Sequence, residues 1–223
     1  MGIFDRLFNK NKTEENNNID FNLDSNKITG IEFGFKCSWF AIKSENIEKV
    51  WNEIKSDFNF KSITDFHSGL KFGYDGGYAL TKPINGWCLL ICSYGESYLE
   101  KIKTKNFKEV HFYSTHRSCD FVRITKIIDN VVVRDFSTSD GGVLKSEGKP
   151  TEIEKVVGEK GRQYILKGER DEEMIKYNSE RNFEELLGDE EGLLEIAENW
   201  SINPGKLNEI KVDDFILELD MKK

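Results

Sequence analysis

The order of apolar patterns along the chain predicts an α+β fold. The expected form is a largely antiparallel sheet with helices packed on one face, a flexible N-terminal tail and an acidic helical C-terminal part. Three observations carry that reading. The stretch Ala79 to Phe136 holds the densest apolar runs, cut by turn signals into strand-length pieces. A strand pattern followed by a helix pattern occurs twice, at 33–56 and at 87–105. From Glu169 to Glu198 there are twelve acidic residues against Arg170, Lys176 and Arg181, or -9, whereas the remainder has 28 acidic and 29 basic residues. The body is therefore close to neutral, and one region supplies all of the net charge of -8. Residues 1–28 read as a short apolar tip plus an Asn-rich linker, 29–223 as one α+β domain, and 169–200 as its acidic helical segment.

In chain order, Ile3, Phe4, Leu7 and Phe8 lie on one side of a short helix. Self-docking, disorder and weak peripheral membrane contact are all open to such a tip. The run containing Asn16, Asn17 and Asn18 has too little apolar content to fold alone. Deletion of residues 1–27 is thus expected to leave the domain intact. Ile31 to Lys43 reads as an aromatic-rich strand. Ser44 then caps a helix whose apolar face is Ile47, Val50, Trp51, Ile54 and Phe58. In Ser68 to Leu80 the glycines read as turns between strands. Trp87 to Ser93 is apolar without alternation, as in a central strand covered on both faces. Trp87 is expected to be buried under the helix that bears Trp51.

Ser97 to Lys105 is a short helix pattern. Glu109 to Tyr113 alternates, with Val110 and Phe112 on one side and Glu109, His111 and Tyr113 on the other. Cys119–Ile128 and Val131–Phe136 form the clearest hairpin, turning at Asp129-Asn130. The register of Arg123, Arg134 and Asp135 depends on loop length and stays open. Asp140-Gly141-Gly142 marks another turn. Thr151 with Glu154 is a capping box for a short helix ending at Gly158. Asp189 caps a helix that turns Leu193, Ile196, Ala197 and Trp200 inward, and Asn203-Pro204-Gly205 stops it. Phe215-Ile216-Leu217 begins a last strand or short helix.

No apolar run approaches the ~20 residues needed to span a bilayer. Asn9 and Lys10 follow Phe8 where a signal peptide would continue its apolar core. A cytoplasmic protein with reduced thiols is the expectation. No basic stripe is present, which argues against nucleic acid as a partner.

The landmarks of residues 79–204 resemble a group of uncharacterised bacterial proteins. They are Pro83 with Gly86-Trp87, then Thr115-His116-Arg117, Arg134, Gly148, the Thr151–Glu154 turn and Trp200-Ser201-Ile202-Asn203-Pro204. The resemblance implies a bacterial cytoplasmic protein with a single α+β domain and transfers no activity.

Cys88 and Cys92 share one side of a strand and lack the Cys-x-x-Cys spacing of zinc turns, so they read as buried small hydrophobes, as does Cys37. Cys119 follows His116 and Arg117, and a neighbouring cation can activate a thiol. However, Asp120-Phe121-Val122 offers neither the glycine cradle nor the arginine of a phosphatase loop. No metal or cofactor motif is complete, and none is expected. The residues with binding potential are Trp87, His116, Arg117 and Arg134 around the sheet, and Glu184, Glu185, Glu190 and Glu191 in the acidic segment. The expected function is a non-catalytic protein-interaction module, immunity- or adaptor-like, which meets a basic partner through its acidic surface. The alternative is a small hydrolase-type enzyme using His116, Arg117 and Cys119. The sequence does not fix the oligomeric state.

Overall fold

A computed structural model describes residues 19–24, 26–187 and 189–222. The apolar tip at 3–8 lies outside the described residues. The elements run β1 (Lys27–Thr29), β2 (Ser38–Lys43), α1 (Ile47–Ile54), β3 (Phe58–Thr64), α2 (Phe66–Tyr74), β4 (Tyr78–Thr81) and β5 (Trp87–Cys92). Then come α3 (Glu96–Ile102), β6 (Glu109–His116), β7 (Phe121–Ile128), β8 (Val131–Ser139), β9 (Gly142–Gly148) and α4 (Glu152–Gly168). The chain continues with α5 (Glu172–Glu180), α6 (Glu190–Trp200), β10 (Lys211–Asp213) and β11 (Ile216–Met221). Nine strands form one sheet in the order β3-β11-β4-β5-β2-β6-β7-β8-β9, with every neighbouring pair antiparallel. The α+β class and the antiparallel sheet are as the sequence predicts.

The helices cover both faces of this sheet, which corrects the one-face expectation. Trp39 and Ala41 of β2, with Leu89 and Ile91 of β5, pack with residues of α2, α4 and α6. The alternate residues Phe40, Ile42, Cys88 and Leu90 pack with α1 and α3. The physical reason lies in β2 and β5 themselves. Both are apolar on successive residues, so each face must be shielded from water. Trp87 is buried as expected, but it belongs to the α6 side. Its ring lies 4.9 Å from that of His111, which in turn meets Trp200 at 5.5 Å. The helix bearing Trp51 covers the opposite face.

Local structure departs from the sequence reading at several points. Only Ser38–Lys43 of the first aromatic run is strand. Asn46 caps α1 by accepting from the Lys49 amide at 3.1 Å, while Ser44 braces the cap from outside. Phe58 starts β3 and is not part of α1. The glycine-rich passage contains helix α2, in which Gly69 lets the helix press onto Ile216, where a Cβ would overlap. Likewise α4 begins at the predicted capping box but continues past Gly158, a glycine that leaves room for the Phe183 carbonyl against the helix and does not end it.

The β7–β8 turn has Asp129 and Asn130 both left-handed, at φ 47° and 65°, as a two-residue hairpin requires. A bulge between Lys126 and Ile127 then shifts the register and sets Thr125 opposite Asp135 and Arg123 opposite Ser137. The register left open by the sequence is thus set by the bulge as well as by the loop length. Arg123 reaches Asp135 diagonally at 2.8 Å, and Asp135 is buried. Ile19 and Phe21, in the Asn-rich stretch, pack against the α1 side of the core, and β1 pairs with β10. Part of that stretch therefore belongs to the folded body. No helix among the described residues is long and apolar enough to cross a membrane.

Candidate functional site

The His116–Phe121 pair closes the β6–β7 hairpin. Between them, Arg117–Cys119 forms a 3-10 turn and Asp120 is left-handed at φ 42°. The turn is tied down from the next hairpin. The Asp140 amide and the Ser139 hydroxyl both donate to the Cys119 carbonyl, at 3.0 and 2.9 Å. A rigid sheet thus holds His116 and Arg117 at its rim.

The Arg117 guanidinium lies 4.7 Å from the centre of the Phe35 ring, and its Nε donates to the Glu190 carboxylate at the start of α6. Glu190 also accepts from the Lys36 amide at 3.4 Å. The His116 ring stacks on Tyr94, with centres 5.1 Å and planes 16° apart, and Phe121 lies 6.1 Å away. Two open clefts share the His116–Arg117 wall. The first, about 750 Å³, includes Lys36, Tyr74, Ser93 and Tyr94 in its lining. The second, about 1010 Å³, is lined by Val157, Tyr164 and Ile165 of α4, by Phe121 and Val122, and by residues at the start of α6. Its rim is laced by ion pairs. Arg181 meets Glu185 at 3.1 Å, Lys160 meets Glu195, and Arg117 meets Glu190.

The eight residues with binding potential separate into three places. His116, Arg117, Glu185, Glu190 and Glu191 all line the second cleft. Arg134 and Glu184 form a buried clasp. Arg134 is 1% exposed and donates to Glu154 at 2.7 Å, Glu184 at 2.8 Å, Ser146 at 3.0 Å and the carbonyls of Glu147 and Gly148. That set joins β8, β9, the first turn of α4 and the 3-10 turn Phe183–Leu186. Trp87 opens β5, whereas Ser93 and Tyr94 follow that strand's far end, so Trp87 stands a strand length from the clefts.

The acidic segment is less bare than its sequence. Glu184, Glu185, Glu190, Glu195 and Glu198 all have a cation partner, and Asp171 and Asp189 cap helices. Among the described residues, Glu172, Glu173 and Glu180 of α5 and Glu191 of α6 have no cation within ion-pair distance.

Burial pushes the Cys37 thiol up to about 11 and the Cys88 thiol up to about 12, so both stay protonated. Cys119 donates its thiol hydrogen to the His116 carbonyl at 3.8 Å. Among the described residues no carboxylate or thiol hydrogen-bonds to the His116 ring, and no group of three or more His, Cys, Asp or Glu side chains could hold a metal ion. His111 is driven down to about 4 chiefly by burial, and its Nε2 lies 3.0 Å from Glu109 Oε1.

Sequence reasoning missed Lys36, Tyr94, Lys160, Tyr164 and Arg181. No local motif marks them, because they reach the clefts from four separate segments. Comparisons with family models, with curated proteins and with solved structures give no match, so the landmarks at 79–204 remain a resemblance without a shown family.

Proposed function

We propose that the protein is a non-catalytic interaction module of the bacterial cytoplasm, and that it docks a basic partner with apolar side chains on the α4–α5 edge. One observation carries this reading. Helix α5 buries only Asn178, yet it presents Met174, Ile175 and Tyr177 to solvent, and Tyr164 of the neighbouring α4 is 83% exposed. Scattered exposed apolar residues are ordinary, but a set gathered on one small helical edge is a feature of interaction surfaces. Glu172, Glu173 and Glu180 of the same helix have no cation within ion-pair distance among the described residues, so α5 carries both exposed apolar side chains and negative charge. Tyr is also a frequent anchor of interfaces.

The hydrolase alternative finds less support. His116 has aromatic neighbours but no acid or thiol partner among the described residues, and Cys119 is turned to a backbone carbonyl. The test is capture of partners by the full chain at physiological salt, repeated with Tyr164→Ala/Tyr177→Ala and with Glu172→Lys/Glu173→Lys. The expected result is a basic partner lost with either double variant and weakened by raised salt. Retention of every captured protein by both variants overturns the reading.

A further inference from the structure

We infer that the first cleft, at the rim where β5 and β6 end, is a binding site for a small planar aromatic anion, such as a mononucleotide or an aromatic carboxylate. The inference is independent of the α4–α5 docking edge. It starts from how the rim is held. Lys36 is a non-glycine residue at φ 54°, a conformation that costs energy and persists only where its surroundings enforce it. Here they do. The Lys36 amide donates to Thr115 Oγ1 at 2.9 Å, and that hydroxyl donates to the Gly34 carbonyl at 3.2 Å. Thr115 is buried and immediately precedes His116. The backbone that carries Lys36 is therefore fixed to the strand that carries His116, on the wall of a cavity of about 750 Å³.

The second part is the aromatic platform. Tyr94 lies nearly parallel to the His116 ring and is 69% exposed. An exposed tyrosine held in a stack offers its outer face to another ring, and base–aromatic stacking is a strong, geometry-tolerant contact. The third part is charge. Lys36 lines the cleft. Arg117 uses Nε for Glu190, which leaves both terminal nitrogens for a second anion. Asp75 also lines the cleft, so the site suits one anionic group and disfavours a chain of them. Ring and charge together select an aromatic anion over a bare phosphate or a neutral ring.

Calorimetric titration of the full chain with adenosine 5′-monophosphate and with 4-hydroxybenzoate tests this and separates the two ligand sources. Adenosine and inorganic phosphate serve as single-feature probes. Saturable binding of at least one aromatic anion is expected, with both single-feature probes about tenfold weaker or worse. Tyr94→Ala and Lys36→Ala should each weaken that binding about tenfold, while Tyr94→Phe retains it. Both residues are exposed, and an unchanged melting temperature shows that the variants are folded. Absence of saturable binding by either aromatic anion at ~10 mM overturns the assignment. So does binding that survives either alanine substitution unchanged.

Discussion

The central strands and helix α5 are held by opposite means. β5 buries every residue and β2 all but its last, between helices on both faces. Helix α5 buries one side chain, and a polar one. Its attachment is a set of hydrogen bonds from Arg162 of α4, which donates to the carbonyls of Asn178 at 3.0 Å and of Ser179 and Arg181 at 2.7 Å. The first arrangement is stabilised by apolar area removed from water. The second gains little from that source, and its hydrogen bonds replace ones that water would make. The comparison explains why the apolar edge on α4–α5 can face solvent: the fold does not need it.

Trp87→Ala should cost the most, about 3–5 kcal/mol in denaturant unfolding, the range for large aromatic deletions in a core. A loss below ~1 kcal/mol would place Trp87 outside the two-sided core and break the comparison. Arg134→Ala tests the polar side of the same question. It strips the partner from the buried Glu154 and from Glu184, and breaking a buried pair costs about 3–5 kcal/mol. An equally stable variant would show that the clasp adds nothing to the attachment of α4.

The third expectation concerns pH. His111 faces Glu109, Lys126, Lys43 and the rings of Trp87 and Trp200, and burial lowers its folded pKa from 6.5 to about 4. The unfolded chain binds the proton first. Stability is therefore unaffected by this group above pH 6.5, declines as pH falls from 6.5 to about 4, and levels off below that, by about 3 kcal/mol in all. The measurement is wild type against His111→Gln across that window, and an identical pH dependence of the two would refute the burial argument. Fourth and smaller, Arg162→Ala should speed amide exchange in α5 while leaving the global midpoint within about 1 kcal/mol, because α5 opens as a local unit. Coupled loss of both would mean that α5 is integral to the core. Least of all, Arg117→Ala should cost under ~1 kcal/mol, since Arg117 is a surface partner.

What the sequence made legible follows the same division. The unbroken apolar run after Trp87, the left-handed pair Asp129-Asn130 and the Thr151–Glu154 box each act through local chemistry, and each is where local chemistry puts it. Helix α2 was hidden because Gly69 and Gly73 lower helix propensity. Their purpose, room for Ile216 and for the Ile91 carbonyl, exists only in the tertiary fold. The bulge at Lys126–Ile127 left no local sign, so the partners of Arg123 and Asp135 could not be read. Arg134 reads as a residue with binding potential, but its role in a buried clasp could not be read, since its carboxylate partners arrive from α4 and from the turn at Phe183–Leu186. His116-Arg117 was visible as a loop between strands. The clefts beside it were not, as they are assembled by the order of strands.

Strand β11 sits between β3 and β4, two strands from the first half of the chain. In the folded sheet they do not pair with each other, so the native partner of each is missing until residues 216–221 arrive. At about 5–20 residues per second, a ribosome needs on the order of ten seconds to make the intervening chain. During that interval Ile63, Tyr78 and Leu80 have no sheet partner on that side. The nascent chain is therefore most open to aggregation and chaperone capture before its last strand closes the gap, and truncations near residue 216 should be cleared by proteolysis.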